Sequence, residues 1–269
     1  MRFSSCDRHS FVSFVALTTC RVLTIMLKLR FVNKNMCFKF LQYCHYGTIE
    51  NLAINKPTLY GDEISPPVRF IMMTASILGI DLNFHKIDLF KNENKSEYFT
   101  KINPLQKVPA LMVGDISICD SHAIAIYLCH ICNGSSLYPN EPLLRAKINQ
   151  MLFFNSSTLF RIDSEILSAY FSQQWPVNDR KIEEWLLALD YLEYNLNENI
   201  WLNGTKMYLA DICTFPVVTS LAQLFVLTDR HPKVRQWIKK FENYPFYEIN
   251  KKGLSDLQNF IDMIKNGKS

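Results

Sequence analysis

The sequence predicts an α/β amino-terminal domain followed by an all-α carboxy-terminal domain. Three observations carry this. Between residues 56 and 133 the segments run strand, helix, strand, helix, strand, hairpin strand, helix. A proline, Pro109, stands inside the apolar run Val108 to Val113. It cannot donate to a sheet ladder, so it belongs at the first residue of a strand or on an edge. From Leu143 onward the pattern is helical to the end.

Each element has a local reason. Thr58 to Gly61 reads as a strand, and Pro66 to Leu78 as a helix ended by Gly79. Ser65 is its N-cap and Pro66 its first helical residue, where a missing N–H does no harm. Leu82 to Ile87 alternates apolar and polar as a half-buried strand does. After Pro109 a short strand, a tight turn at Gly114-Asp115 and a second strand, Ile116 to Cys119, form a hairpin. Asp120-Ser121 then opens a helix, Ser121 through Leu128. A cis bond at Pro109 would leave Val108 free to offer its backbone elsewhere. Free backbone beside a helix N-terminus suits a small peptide-like anion.

A linker, 134–142, follows, its polar start being Gly134-Ser135-Ser136. Leu143 to about Phe171 reads as one long helix, broken at Pro176 before the next, roughly Asp179 to Asn197. Leu209-Ala210-Asp211 opens another. Tyr208 stands where a Ser or Thr cap is usual, so the capping box is incomplete, at about 0.5–2 kcal/mol of local stability. Pro232 to Phe241 and Gly253 to Ile264 supply the last helices.

Composition bounds the function. The chain has 269 residues, 48% of them hydrophobic, and a net charge of +4. Residues 1–55 hold Arg2, Arg8, Arg21, Lys28, Arg30, Lys34 and Lys39 against only Asp7 and Glu50. The remainder carries 22 basic and 23 acidic residues, so it has no basic bias that would imply nucleic acid. The leader's apolar run, Phe11 to Cys20, is too short to span a bilayer and is followed by Arg21. Its readings are a disordered arm, an extension mistakenly joined to the coding sequence, or a weak signal or mitochondrial transit peptide. Eight cysteines show no regular disulfide spacing, which favours a reducing cytosol. Cys129-His130-Ile131-Cys132 falls late in a helix, where ordinary partly buried thiols are the better reading than a redox pair. No metal site is expected.

The stretch Asn103 to Leu111, with Asp120-Ser121-His122-Ala123-Ile124, resembles the glutathione-binding half of cytosolic glutathione transferases. Leu59 to Arg69 resembles the first strand and catalytic-serine turn of the insect delta and epsilon classes, and its form Ser-Pro-Pro-Val-Arg favours epsilon. The resemblance covers about Lys56 to the C-terminus, roughly four-fifths of the chain. It implies a thioredoxin-like first domain, an all-helical second one, a homodimer, and glutathione as co-substrate. Ser65 would then donate to the thiolate, aided by the positive helix end. Lowering a thiol pKa of 8.5 by about two units needs only about 2.7 kcal/mol.

By the same resemblance Val108 pairs with the cysteinyl backbone and Pro109 is cis. Asp120 faces the γ-glutamyl amine, Ser121 its carboxylate, and His122 stands beside them. Two histidines usual at the glycyl end are here Gln106 and Asn94. Both can hydrogen-bond but carry no charge, so weaker glutathione affinity is expected.

Phe160, Asp163, Leu167 and Ser168 are spaced i, i+3, i+7 and i+8, so they share one helix face. A carboxylate in an apolar stripe is costly unless partnered. Either Asp163 pairs with an Arg or Lys, or it accepts a hydrogen bond from a ligand hydroxyl, worth roughly 1.5–3 kcal/mol to a charged acceptor. Leu89 and Phe90 would close the opposite side, with Pro66 and Ser164 near the ligand. Leu159 to Ala169, with Leu89-Phe90-Lys91, resembles the Noppera-bo group within the epsilon class. That resemblance implies ecdysteroid production or cholesterol handling, the acid matching Asp163 contacting a steroid hydroxyl. A general detoxifying enzyme and a non-catalytic carrier of hydrophobic ligands are the alternatives.

Overall fold

Residues 56–132, 136–172, 178–196 and 198–265 are described by the computed structural model. The leader 1–55, the linker residues 133–135 and the break at Pro176 lie outside them. The compact unit that holds the described residues begins at Asn55.

Its first half comprises β1 (Thr58–Gly61), α1 (Pro66–Leu78), β2 (Asn83–Lys86), a single 3-10 turn (Glu93–Lys95), α2 (Glu97–Ile102), β3 (Ala110–Val113), β4 (Ile116–Ile118) and α3 (Ser121–Ile131). The sheet order is β2-β1-β3-β4, with β1 parallel to β2 and the other pairs antiparallel. This is the thioredoxin-like arrangement. Leu59 sits opposite Leu111 and Tyr60 opposite Ala110. Side chains alternate across a strand, so Leu59 and Leu111 enter the main core with Val68 and Phe70, while Ala110 joins Ile87 and Phe99 on the other face. Gly61 is needed where β1 meets α1: a Cβ there would lie 2.7 Å from a methyl of Val68. Gly79 closes α1 in the left-handed conformation, φ 66°.

Three expectations need correction. β2 is shorter than Leu82 to Ile87, and its four residues are all exposed rather than half-buried. It is an edge strand, and the apolar residues that anchor it, Leu82 and Ile87, lie just beyond its ends. The helix begun at Ser121 runs on to Ile131, because Leu128 and Cys129 still face the core. Cys129 is buried and Cys132 half-buried, neither in a disulfide, and burial pushes the Cys132 thiol up.

The second half comprises α4 (Pro142–Phe154), a π-helical turn (Asn155–Leu159), α5 (Phe160–Phe171), α6 (Asp179–Asn195), α7 (Leu209–Leu221), α8 (Pro232–Phe241) and α9 (Tyr247–Lys265). The expected single helix from Leu143 to Phe171 is thus interrupted. Ser156 and Ser157 turn their hydroxyls back onto the Phe153 carbonyl, at 3.2 and 2.7 Å, and the wider turn carries Asn155 inward. The last helix also starts earlier than Gly253, which lies in its interior. A Cβ at Gly253 would come within 2.3 Å of the Glu63 carbonyl oxygen and 2.4 Å of Arg69 Cδ. That glycine is a close-approach residue, not a boundary.

All of α7 is buried, and α1 packs against both α3 and α7. The Tyr208 side chain provides no cap to α7. Asp211 compensates: Oδ2 accepts the Tyr208 N–H at 2.9 Å, and Oδ1 accepts Leu202 N–H at 2.9 Å and Trp237 Nε1–H at 3.0 Å. Burial still outweighs those bonds and pushes the Asp211 carboxyl up to about 6. No helix among the described residues is long and apolar enough to cross a membrane.

Candidate active site

The chain leaves β1 at Gly61 and turns through Asp62 to Ser65 before α1 begins. Asp62 organises that turn. Its Oδ1 accepts the Ile64 N–H at 3.3 Å, its Oδ2 the Leu89 N–H at 3.4 Å, and its carbonyl the Ser65 N–H at 2.9 Å. The Ser65 carbonyl takes the Val68 and Arg69 N–H groups, each at 3.1 Å. The Ser65 hydroxyl makes no capping bond. Among the described residues nothing accepts from it, so it is a half-buried donor at a helix N-terminus, and no acid in the first turn of α1 offsets the helix dipole. Sequence reasoning makes Ser65 the cap; the geometry gives its backbone that position and leaves its hydroxyl available. Pro66, next along, is buried.

Two other segments converge on the same half of the molecule. The Val108-Pro109 bond is cis. Val108 is half-buried and Pro109 buried. Asn94 and Gln106 stand together: Asn94 Nδ2 donates to the Gln106 carbonyl at 2.9 Å, and Gln106 Nε2 to Thr100 Oγ1 at 3.3 Å. At the start of α3, Asp120 Oδ1 accepts the His122 and Ala123 N–H groups at 2.9 and 3.0 Å, capping the helix. Ser121 is buried at the first helical position.

His122 links this end to the helical half. Its Nε2 lies 3.2 Å from both Asn155 Oδ1 and Cys213 Sγ, and its Nδ1 lies 3.5 Å from Ser121 Oγ and 3.7 Å from Asp120 Oδ1. Asn155 Nδ2 donates to the Cys213 carbonyl at 3.3 Å, so the amide oxygen is the atom facing the ring. Burial opposes a charge on His122, but Cys213 and Asp120 outweigh it and push its pKa up to about 10. The His122 contact, against burial, holds Asp120 down at about 2.

On α5, Phe160 packs on the main core, Asp163 and Leu167 are buried, and Ser164 and Ser168 are exposed. Leu167 clusters with Ile64, Tyr170, Leu257 and Ile261, and Leu89 and Phe260 pack against that cluster. Ile64 immediately precedes Ser65, so the apolar stripe of α5 meets the serine turn. Phe90 stacks on Phe260 with centroids 3.9 Å apart, and Phe171 meets the edge of Phe260 at 5.0 Å.

Asp163 is 1% exposed, and its Oδ1 has no hydrogen-bond partner. No described residue forms an ion pair with it, so the first of its two readings, a pairing with an Arg or Lys, is not met among the described residues. Burial pushes its carboxyl up to about 8, opposed only by the more distant charge of Arg69. Burial therefore favours the protonated acid over the charged acceptor expected from the sequence. Residues that sequence reasoning missed are Arg69, Asn155, Cys213, Asn250 and Phe260. Only Arg69 had a signal, its i+4 spacing from Ser65. Among the described residues no group of three His, Cys, Asp or Glu side chains could hold a metal ion.

Residues 59–136 match the glutathione S-transferase N-terminal domain, and residues 156–245 the glutathione S-transferase C-terminal domain. Glutathione S-transferase 1 of Manduca sexta is 32% identical over 196 residues, covering 71% of this chain and 90% of that protein. The chain belongs to the glutathione S-transferase family. Among solved structures, the epsilon-class transferase of the housefly Musca domestica superposes on this transferase with a TM-score of 0.73 at 31% identity, covering 77% of this chain and 97% of the other. Isozyme E7 of Drosophila melanogaster gives 0.72 at 33%, covering 77% and 96%. A Drosophila mojavensis transferase homologue with bound glutathione gives 0.73 at 31%, with the same coverage. The transferase thus has epsilon- and delta-class structural neighbours.

Proposed function

We propose that this transferase activates glutathione through Ser65 and takes a hydroxylated polycyclic ligand of steroid type against Asp163. The free Ser65 hydroxyl at an acid-free helix N-terminus carries the first part of the reading. In this scheme the thiol proton leaves to solvent, and Ser65 donates to the thiolate. Sulfur then attacks the electrophilic carbon. With chlorodinitrobenzene, the S–C bond forms as the C–Cl bond breaks and chloride departs. Val108 pairs with the cysteinyl backbone, with Pro109 beside it. Asp120, Ser121 and His122 hold the γ-glutamyl end, while Asn94 and Gln106 serve the glycyl end without charge.

The orphan Oδ1 of Asp163 favours the steroid reading and a place in the Noppera-bo group. A buried polar atom without a partner is costly, and a ligand hydroxyl would satisfy it. Phe160, Leu167, Leu89 and Phe90 supply apolar wall, with Pro66, Ser164 and Ser168 at its margin. Because the carboxyl is neutral, the bond is worth about 0.5–1.5 kcal/mol, or roughly two- to tenfold in affinity. The working enzyme is a homodimer of chains whose two domains span 56–133 and 143–269, and residues 1–55 are dispensable for catalysis.

The test is one conjugation assay run with a competing steroid. Ser65→Ala should cut turnover far more than it weakens glutathione binding, and equal turnover in mutant and parent would refute the role of Ser65. Asp163→Ala should weaken competition by a hydroxysteroid and leave its deoxy counterpart unchanged. If both steroids weaken alike, or neither does, the ligand reading reverts to a general detoxifying enzyme.

A further inference from the structure

Arg69 is fully buried on α1, one turn beyond Ser65. An arginine has five N–H donors, and here all are used. Nε donates to Asn250 Oδ1 at 2.9 Å, Nη1 to the carbonyls of Glu63 at 3.0 Å and Ile64 at 2.7 Å, and Nη2 to the Pro216 carbonyl at 3.2 Å and to Ser220 Oγ. Every acceptor is neutral. Among the described residues no carboxylate forms an ion pair with Arg69. A buried cation without a counter-ion is expensive, so its retention beside the serine turn calls for a cause.

The geometry of that turn provides one. The Ile64 carbonyl and the Ser65 N–H belong to a single peptide plane. Arg69 holds the carbonyl side and the Asp62 carbonyl holds the N–H side. The same guanidinium ties the plane to α7 through Pro216 and Ser220, and to α9 through Asn250. We infer that Arg69 is a positioning residue for glutathione activation: it clamps the Ile64–Ser65 peptide plane, fixing where the Ser65 hydroxyl points, and lends an unpaired buried positive charge that favours the thiolate.

This rests on Ser65 being the thiolate donor. The charged groups around Arg69 fit the role. From α5, Asp163 acts on Arg69 at longer range, and burial favours its protonated form. From α9, Asp256 contributes at longer range but is exposed, and Lys252 is paired with Glu63 at 2.7 Å. From α7 the neighbours are uncharged. Burial lowers the Arg69 pKa to about 10, which leaves the guanidinium charged at neutral pH.

The readout is the pKa of the enzyme-bound glutathione thiol, followed by thiolate ultraviolet absorbance across pH, beside kcat and KM for glutathione. Arg69→Met removes the charge; Asn250→Ala and Ser220→Ala keep it but loosen the fork. All three should raise the bound thiol pKa, Arg69→Met the most, with glutathione KM little changed. A rise of one unit lowers kcat/KM about tenfold below the parent's thiol pKa. If Arg69→Met does not fold, the other two variants decide. Folded Asn250→Ala and Ser220→Ala proteins that both keep the parent's thiol pKa would overturn the inference. Ser65→Ala separates the two readings. If it raises the thiol pKa while the Arg69, Asn250 and Ser220 variants do not, only the inference on Arg69 fails. If Ser65→Ala also leaves the thiol pKa at the parent's value, both fail.

Discussion

Replacing Asp163 by Asn should make the transferase more stable than its parent as pH rises. Burial pushes the native carboxyl up from the ordinary 3.8 to about 8. The folded state therefore keeps a proton that the unfolded chain releases. Stability from this group is full below about pH 4, falls as pH rises, and stops falling above about pH 8. At pH 7 the accumulated loss is about 4 kcal/mol, since each unit between the two pKa values is worth about 1.4 kcal/mol. Asn matches the neutral acid in shape and never ionises. Urea unfolding of both proteins between pH 4 and 7 should show the advantage of Asp163→Asn growing by that amount. Asp211, also raised by burial, to about 6, loses stability in the same direction but is present in both proteins and cancels in the difference. An advantage that stays flat across this range would mean that Asp163 ionises normally in the native state, and the account of a buried neutral acid would be wrong.

Gly253→Ala should cost about 1–3 kcal/mol in urea unfolding and lower turnover, because its Cβ would meet the Glu63 carbonyl oxygen at 2.3 Å; a parent-like mutant in both assays would refute the tight seating of α9. Phe260→Ala removes the ring that stacks on Phe90 at 3.9 Å and should weaken a polycyclic competitor by about 0.5–1.5 kcal/mol, leaving glutathione KM unchanged. Unaltered competition would exclude α9 from the ligand wall.

Local signals made much of the first half legible. Pro66 at a helix start, Gly79 at its end, the proline inside an apolar run and the Gly114 hairpin each restrict the backbone on their own, and the sheet follows from their order. The helical half was less transparent where tertiary demands override periodicity. A 3.6-residue pattern cannot register the π turn at Asn155, since the cause lies in where that side chain must go. Gly253 looks like a helix boundary until the Glu63 carbonyl is placed beside it. The site was legible as residue types at spacings, Ser65, Asp120 and Asp163 among them. The charge state of Asp163 was not, because ionisation depends on what surrounds a carboxyl in space. Arg69 was in view throughout, but the groups that define it come from residues 216, 220 and 250.

The bond from Arg69 to Asn250 joins positions 181 residues apart. A chain emerging from the ribosome makes the serine turn early and must wait for almost the whole of the rest before α9 can arrive to seat it. Contacts of such sequence separation form late and slowly. A nascent transferase thus carries its thiol-binding half through synthesis with Arg69 Nε still lacking its Asn250 acceptor. Premature termination anywhere before residue 250 leaves a chain that has every residue of the serine turn and lacks the part that locks it.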